Sequence, residues 1–245
     1  MTETYNPFSL ASKTVLVTGA SSGIGRATAI ECSRLGAIVV ATGRDEARLG
    51  ETMAALTGKG HVSIQADLTK AEDVSRLVLE MPQIDGLVCN AGITRRRPIS
   101  FIKEFELQEV FNTNTFACFT LTKSIMKARK MNRGGSMVFV SSMAARQVTP
   151  GNAMYAASKA AVESFARSCA LEYAPMQIRS NAILPGMVET PMNNAGGLSA
   201  EAIERDKQNY LMKRYGKPEE IAWGIIYLLS DASGWTSGTS MKITC

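Results

Sequence analysis

Apolar positions along the chain follow two rhythms that alternate from end to end. Short, nearly continuous apolar runs occur at Thr14–Thr18, Ile38–Ala41, Val62–Gln65, Leu87–Asn90, Met137–Ser141, Arg179–Ile183 and Ser240–Thr244, and each predicts a strand. Between them, at 24–35, 46–56, 70–80, 103–131, 153–174 and 218–230, apolar residues recur every three or four positions and predict helices. Strands that are apolar throughout belong to a sheet buried on both faces. Strand alternating with helix implies right-handed parallel crossovers, hence an α/β architecture with a doubly wound, seven-stranded parallel sheet and helices on both faces. Pro175 stops the fifth helix, and Lys217-Pro218-Glu219-Glu220 starts the last. The one long irregular stretch is about 186–200, whose Gly196-Gly197 pair suits a substrate-binding loop or lid extending to about 210. No linker or internal repeat divides the chain, so 1–245 is expected to be a single domain.

Composition narrows the classes of function. With 245 residues, 45% of them hydrophobic and 20% charged, the chain can bury one full core. No run approaches the roughly 20 apolar residues that span a bilayer, and the start, Met-Thr-Glu-Thr-Tyr-Asn-Pro-Phe, has neither a basic nor an apolar leader region. A cytoplasmic protein without a membrane partner is expected. The five cysteines are dispersed and form no Cys-x-x-Cys, so neither a disulfide frame nor a metal site is expected. His61 is the only histidine and lies far from any nucleophile-elbow pattern, which disfavours a Ser-His-Asp hydrolase. The net charge of +5 is concentrated at Arg95-Arg96-Arg97 and at Lys127, Arg129, Lys130 and Arg133. These are solvated surface or an attraction for an anionic partner: a phosphorylated cofactor, an acidic carrier protein or an acyl thioester. No motif for nucleic acid accompanies them.

The first strand runs into Thr18-Gly19-Ala20-Ser21-Ser22-Gly23-Ile24-Gly25. Glycines there allow a tight turn and close approach of a pyrophosphate, which the free N–H groups and positive end of the next helix would hold. The spacing is G-x-x-x-G-x-G rather than the commoner G-x-G-x-x-G. After the second strand, Gly43 stands where an acid would select NAD(H), and Arg44 follows, which favours the 2′-phosphate of NADP(H). Asp45 reads as a helix N-cap. Asp67-Leu68 and Asn90-Ala91-Gly92 fall at the carboxyl ends of the third and fourth strands, where such sheets bind ligands. Tyr155 and Lys159 are one helical turn apart, and an ammonium that close is expected to lower the pKa of the phenol. Ser142, thirteen positions before Tyr155, is the hydroxyl that could hold a substrate oxygen against it.

Taken together these stretches resemble the short-chain dehydrogenase/reductase family over Thr14 to about Lys242. The motifs that carry the resemblance are Thr18-Gly19-x-x-x-Gly23-x-Gly25, Asn90-Ala91-Gly92, Asn114, Ser142, Tyr155-x-x-x-Lys159 and Pro185-Gly186. The resemblance implies a Rossmann fold, with Tyr155 as acid/base and Lys159 lowering its pKa and binding nicotinamide ribose. It also implies that Ser142 orients the substrate carbonyl and Asn114 holds a water of the proton relay. Pro185, Gly186, Val188 and Thr190 would cradle the nicotinamide. Within the family the chain is most similar to 3-oxoacyl-acyl-carrier-protein reductases, through Asn90-Ala91-Gly92-Ile93-Thr94-Arg95, Gly43-Arg44 and Glu172-Tyr173-Ala174. That implies NADPH-dependent reduction of a ketone, small or carrier-bound, in a homodimer or homotetramer built on the 103–131 and 153–174 helices. A dehydrogenase of a sugar, polyol or steroid-like alcohol using NAD(P)+ is the alternative, and a non-catalytic dinucleotide-binding protein is a third. One departure is the ending Met241-Lys242-Ile243-Thr244-Cys245, where the family commonly has Val-Asp-Gly-Gly.

Overall fold

Valines and leucines alternate faces along the first strand, β1 (Thr14–Thr18): Val15 and Val17 enter one hydrophobic layer and Leu16 the other. The same two-sided burial shapes β2 (Ile38–Gly43), β4 (Ile84–Cys89), the second half of β5 (Met131–Val140) and β6 (Arg179–Pro185), while β3 (Val62–Gln65) and β7 (Ser240–Ile243) are more open edge strands. They form one parallel sheet in the order β3-β2-β1-β4-β5-β6-β7. The helices of this computed structural model, which describes residues 5–194 and 199–245, cover both faces. They are α1 (Gly23–Arg34), α2 (Glu46–Ala54), α3 (Ala71–Glu80), α4 (Glu104–Phe111), α5 (Ala117–Lys127), α6 (Ala153–Glu172), α7 (Pro191–Asn194), α8 (Ala200–Lys207) and α9 (Pro218–Leu229). Leu121, Ile125 and Val162 pack on one face of the sheet, and Ile221 and Ile225 on the other. Burying each such side chain contributes about 1.5–3 kcal/mol. No described helix is long and apolar enough to cross a membrane.

The doubly wound parallel sheet agrees with the periodicity, and the departures have local causes. The expected helix over 103–131 is two helices joined by a π-helical turn at Asn112–Phe116, and it ends at Lys127. The turn carries the polar run Asn112-Thr113-Asn114-Thr115. Burial of Asn114 and Thr115 against α6 wins over regular α geometry, with Thr115 Oγ1 donating to the carbonyl of Ser158 at 3.1 Å. β5 begins at Met131, six positions before the apolar run, because Met131 pairs with Ile84 and a register irregularity absorbs the polar Gly134-Gly135. β4 begins at Ile84 rather than Leu87. A Cβ on Gly86 would lie 2.9 Å from Leu229, so the residue that weakens the pattern is the one that fits. The stretch expected to be irregular holds α7, and the loop or lid expected to reach about 210 holds α8, capped by Ser199, whose hydroxyl accepts from the Ala202 N–H at 3.2 Å. The Gly196-Gly197 pair lies outside the described residues.

Candidate active site

Strand order reverses direction between β1 and β4, and a ligand crevice opens at the carboxyl ends of the strands on either side of such a switch. A cleft of about 690 Å³ lies there. Its walls contain Gly19, Ser21, Ser22, Gly23 and Ile24 from the turn into α1, with Arg44, Asp67, Leu68, Asn90, Ala91 and Gly92 from the next three strand ends. Ser142, Tyr155, Lys159, Pro185, Gly186, Val188 and Thr190 line the other half. Gly25 and Asn114 stand just behind the wall. A Cβ on Gly25 would come within 2.2 Å of the Gly19 carbonyl oxygen, so only glycine allows α1 to start this close to the turn. Gly19 itself has φ +64°, in the region that favours glycine.

The turn is held from β4. Thr18 Oγ1 accepts from the N–H groups of Asn90 (2.9 Å) and Ala91 (3.1 Å) and donates to the Val88 carbonyl at 3.2 Å. Asn90 Nδ2 donates to the Thr18 carbonyl at 3.0 Å. An extended phosphorylated group fits this half: the glycines leave backbone bare, and α1 presents its unpaired N–H groups and dipole. Asp45 caps α2, accepting from the Arg48 N–H at 3.0 Å, and so is used as a cap. Arg44 and Arg48 are exposed in the cleft wall, and a Cβ on Gly43 would lie 3.4 Å from Ser21 Oγ. Asp67 is largely a turn residue, its Oδ1 accepting from Thr69 Oγ1 at 2.8 Å and Thr69 N at 3.1 Å.

In the other half, Tyr155 and Lys159 face the cleft from one side of α6. Lys159 Nζ lies 5.9 Å from the Tyr155 ring centroid and donates to the Val140 carbonyl at 2.8 Å. Burial pushes the Lys159 ammonium down from 10.5 to about 8. The phenol departs from expectation: burial raises its pKa above 10, and the hydrogen bond from Ser142 lowers it by less. Desolvation of a phenolate outweighs any help from the neighbouring cation, so Tyr155 holds its proton at neutral pH. Ser142 caps the 3-10 turn Met143–Ala145, its Oγ accepting from the Ala144 N–H at 3.1 Å. Both ends of the Asn114 side chain bond protein: Oδ1 accepts from Ile93 N at 2.7 Å, and Nδ2 donates to Ile93 O and Ser158 Oγ at 3.0 Å. A Cβ on Gly92 would lie 3.2 Å from Asn114 Oδ1 and 3.3 Å from Lys159 Nζ, so Asn114 and Lys159 converge on one spot.

The family described as "Enoyl-(Acyl carrier protein) reductase" matches residues 19–245. The chain is 37% identical over 240 residues to a 3-oxoacyl-acyl-carrier-protein reductase of Thermotoga maritima, covering 96% of this chain and 97% of that one. The chain belongs to the short-chain dehydrogenase/reductase family. It is 35% identical over 246 residues to an L-rhamnose 1-dehydrogenase (NAD(P)(+)) of Azotobacter vinelandii, covering 96% of each. A structure from Beutenbergia cavernae, described as an NAD(P)-dependent gluconate 5-dehydrogenase with NADP bound at low occupancy, superposes with a TM-score of 0.89. It is 33% identical, with 97% of each chain covered. As a member of the family the chain is an oxidoreductase that binds NAD(P).

Several members of the cleft wall escaped the sequence reading. Arg48 follows Arg44 by one helical turn, a signal hidden by the strand-to-helix boundary between them. Ser141, 2% exposed, donates from Oγ to the Lys159 carbonyl at 2.8 Å and ties β5 to α6. Much of the basic charge is paired within the chain. Arg95 bonds Glu109 at 3.1 Å, Arg97 bonds Glu106 at 3.0 Å and Lys130 donates to the Met81 carbonyl at 2.6 Å. His61 pins β2, its Nδ1 accepting from Val39 N at 3.1 Å while Nε2 meets the Thr57 carbonyl at 3.0 Å.

Proposed function

We propose that this oxidoreductase uses NADPH to reduce a ketone to a secondary alcohol, with a 3-oxoacyl thioester on a carrier protein as the favoured substrate class. The observation that carries the reading is the placement of Tyr155, Lys159 and Ser142 together on one half of the cleft, with Lys159 Nζ 5.9 Å from the Tyr155 ring centroid. Burial raises the Tyr155 pKa, and a protonated phenol at that place can act as the acid of a reduction. A nicotinamide held beside Lys159, Pro185, Gly186, Val188 and Thr190 would supply a hydride for the carbonyl carbon. Tyr155 gives its proton to the carbonyl oxygen, and Ser142 hydrogen-bonds that oxygen as charge develops on it. Lys159 and the Asn114 region then return a proton to the phenolate. Arg44, exposed and next to Gly43, supports the choice of NADPH. The thioester class rests on the likeness to the Thermotoga maritima reductase.

Oxidation of a sugar or sugar acid is the second reading, favoured by the likenesses to the rhamnose and gluconate dehydrogenases. The two separate in one assay series: loss of NADPH absorbance with acetoacetyl-coenzyme A, cyclic ketones and keto sugars, and the reverse reaction with aldoses and gluconate. Tyr155→Phe should lose at least about a hundredfold in kcat, the usual contribution of a positioned acid, with NADPH binding retained. Full turnover in that variant removes the role given to the phenol. We also propose a homodimer or homotetramer, supported by Phe105 and Phe116, which are 63% and 53% exposed on α4 and in the adjoining turn. Light scattering that finds only monomer removes that part.

A further inference from the structure

We propose that Glu163 is a positioning residue that sets Ser142 against Tyr155 by clamping Arg146. This rests on the roles given above to Ser142 and Tyr155. Tyr155, Lys159 and Glu163 follow one another at four-residue intervals along one face of α6. The first two reach the cleft; the third is 5% exposed and carries a carboxylate where an unpaired charge would be costly. Three donors converge on it. Arg146 binds it through Nη2 and through Nε at 3.2 Å, Arg167 through Nη1 at 3.0 Å, and Ser240 of β7 through Oγ at 2.8 Å. Such a set holds the carboxylate ionised, below its ordinary pKa.

Arg146 is the informative partner. It ends the short turn that begins at Ser142, and its N–H donates to the Met143 carbonyl at 3.0 Å. Ser142, its capped turn and Arg146 therefore move together. The upstream end of this segment is tied to α6 at Lys159, through Ser141 Oγ to the Lys159 carbonyl and Lys159 Nζ to the Val140 carbonyl, both 2.8 Å. The downstream end is tied at Glu163, one helical turn further on. Ser142 lies between two anchors on the helix that carries Tyr155. Arg167 shares that helix with Glu163 and transmits nothing to the turn, whereas Arg146 spans from one element to the other. Removing the downstream anchor leaves Ser142 held from one side, and a displacement of about 1 Å at reacting groups can cost about a hundredfold in rate.

The test is steady-state reduction of acetoacetyl-coenzyme A, or of whichever ketone in the panel turns over, by Glu163→Gln, Arg146→Met and the double variant. Fluorescence titration of NADPH and thermal melts accompany each. Expected are a tenfold to hundredfold fall in kcat for each single variant, an NADPH Kd within twofold of the parent, and a double variant no slower than the slower single one. Arg146→Lys should recover part of the loss, because it keeps the charge without the fork. If Glu163→Gln does not fold, Arg146→Met tests the same clamp from its more exposed end. Full kcat in the single variants, losses that multiply in the double variant, or a kcat loss matched by lost NADPH binding each overturn the proposal. Tyr155→Phe is assayed alongside: if it keeps full turnover, the reading of the site fails, whatever Glu163 does.

Discussion

Replacing Lys159 by Met tests the physics of the site most directly, because it should abolish turnover while leaving the fold no less stable at pH 7. Lys159 is 4% exposed, and burial lowers its pKa from 10.5 to about 8. At about 1.4 kcal/mol per pH unit, holding that ammonium in the folded state costs about 3 kcal/mol at pH 7. Met has nearly the same length and no charge, so the substitution removes the cost. It also removes the charge-assisted hydrogen bond to the Val140 carbonyl, worth about 1.5–3 kcal/mol. The net expectation at neutral pH lies between no change and a gain of about 1.5 kcal/mol. The sign with pH follows from a base whose folded pKa is depressed. The penalty is full below about pH 8, where both states are protonated, fades as pH rises between there and 10.5, and is gone above 10.5, where both are neutral. The stability of the variant relative to the parent should therefore fall by about 2 kcal/mol from pH 7 to pH 10. Urea unfolding of both proteins at several pH values across that range measures it. A difference that stays constant with pH refutes the assignment of a desolvated ammonium.

Other expectations follow from single contacts. Arg44→Gln should weaken NADPH by about tenfold to a hundredfold, the value of a charge-assisted hydrogen bond, and leave NADH unchanged by calorimetric titration. Gly25→Ala forces a methyl to 2.2 Å from the Gly19 carbonyl and 2.4 Å from Asn90 Nδ2. It should cost about 1–3 kcal/mol of stability and at least tenfold in NADPH affinity, read by urea unfolding and titration. Thr18→Val keeps the shape of a side chain 1% exposed but strands the N–H groups of Asn90 and Ala91. An equilibrium unfolding curve should record a loss of about 2–3 kcal/mol, and a loss below about 0.5 kcal/mol would show those N–H groups finding other acceptors.

The strands and helices nearest the cofactor half were legible because their signals are local. A continuous apolar run needs no knowledge of its neighbours to be a buried strand, and the spacing of Gly19, Gly23 and Gly25 between one strand and one helix is complete within a dozen residues. Boundaries failed where the neighbour decides them. Gly86 weakens the pattern of β4, yet it is required by Leu229 and Val15 pressing on that position. Residues 131–136 are too polar to announce a strand and become one through pairing that begins at Met131 with Ile84. The helix α8, capped by Ser199, has a low apolar content and follows a glycine-bearing stretch, so no apolar periodicity announced it.

The amino-acid sequence by itself determined the order of elements, the bare-backbone turn for a phosphate and the four-residue pairing of Tyr155 with Lys159. Each of these depends on chemistry and spacing within a few turns of chain. Only the tertiary structure decided how the groups behave. Burial raises the pKa of Tyr155 where proximity to a cation was expected to lower it, because solvent is removed by elements distant in sequence. The convergence on Glu163 joins residues 17 and 77 positions away. A carboxylate in a helical pattern carries no sign of which distant donors the fold will bring to it, since that choice belongs to the packing of β5, α6 and β7 against one another.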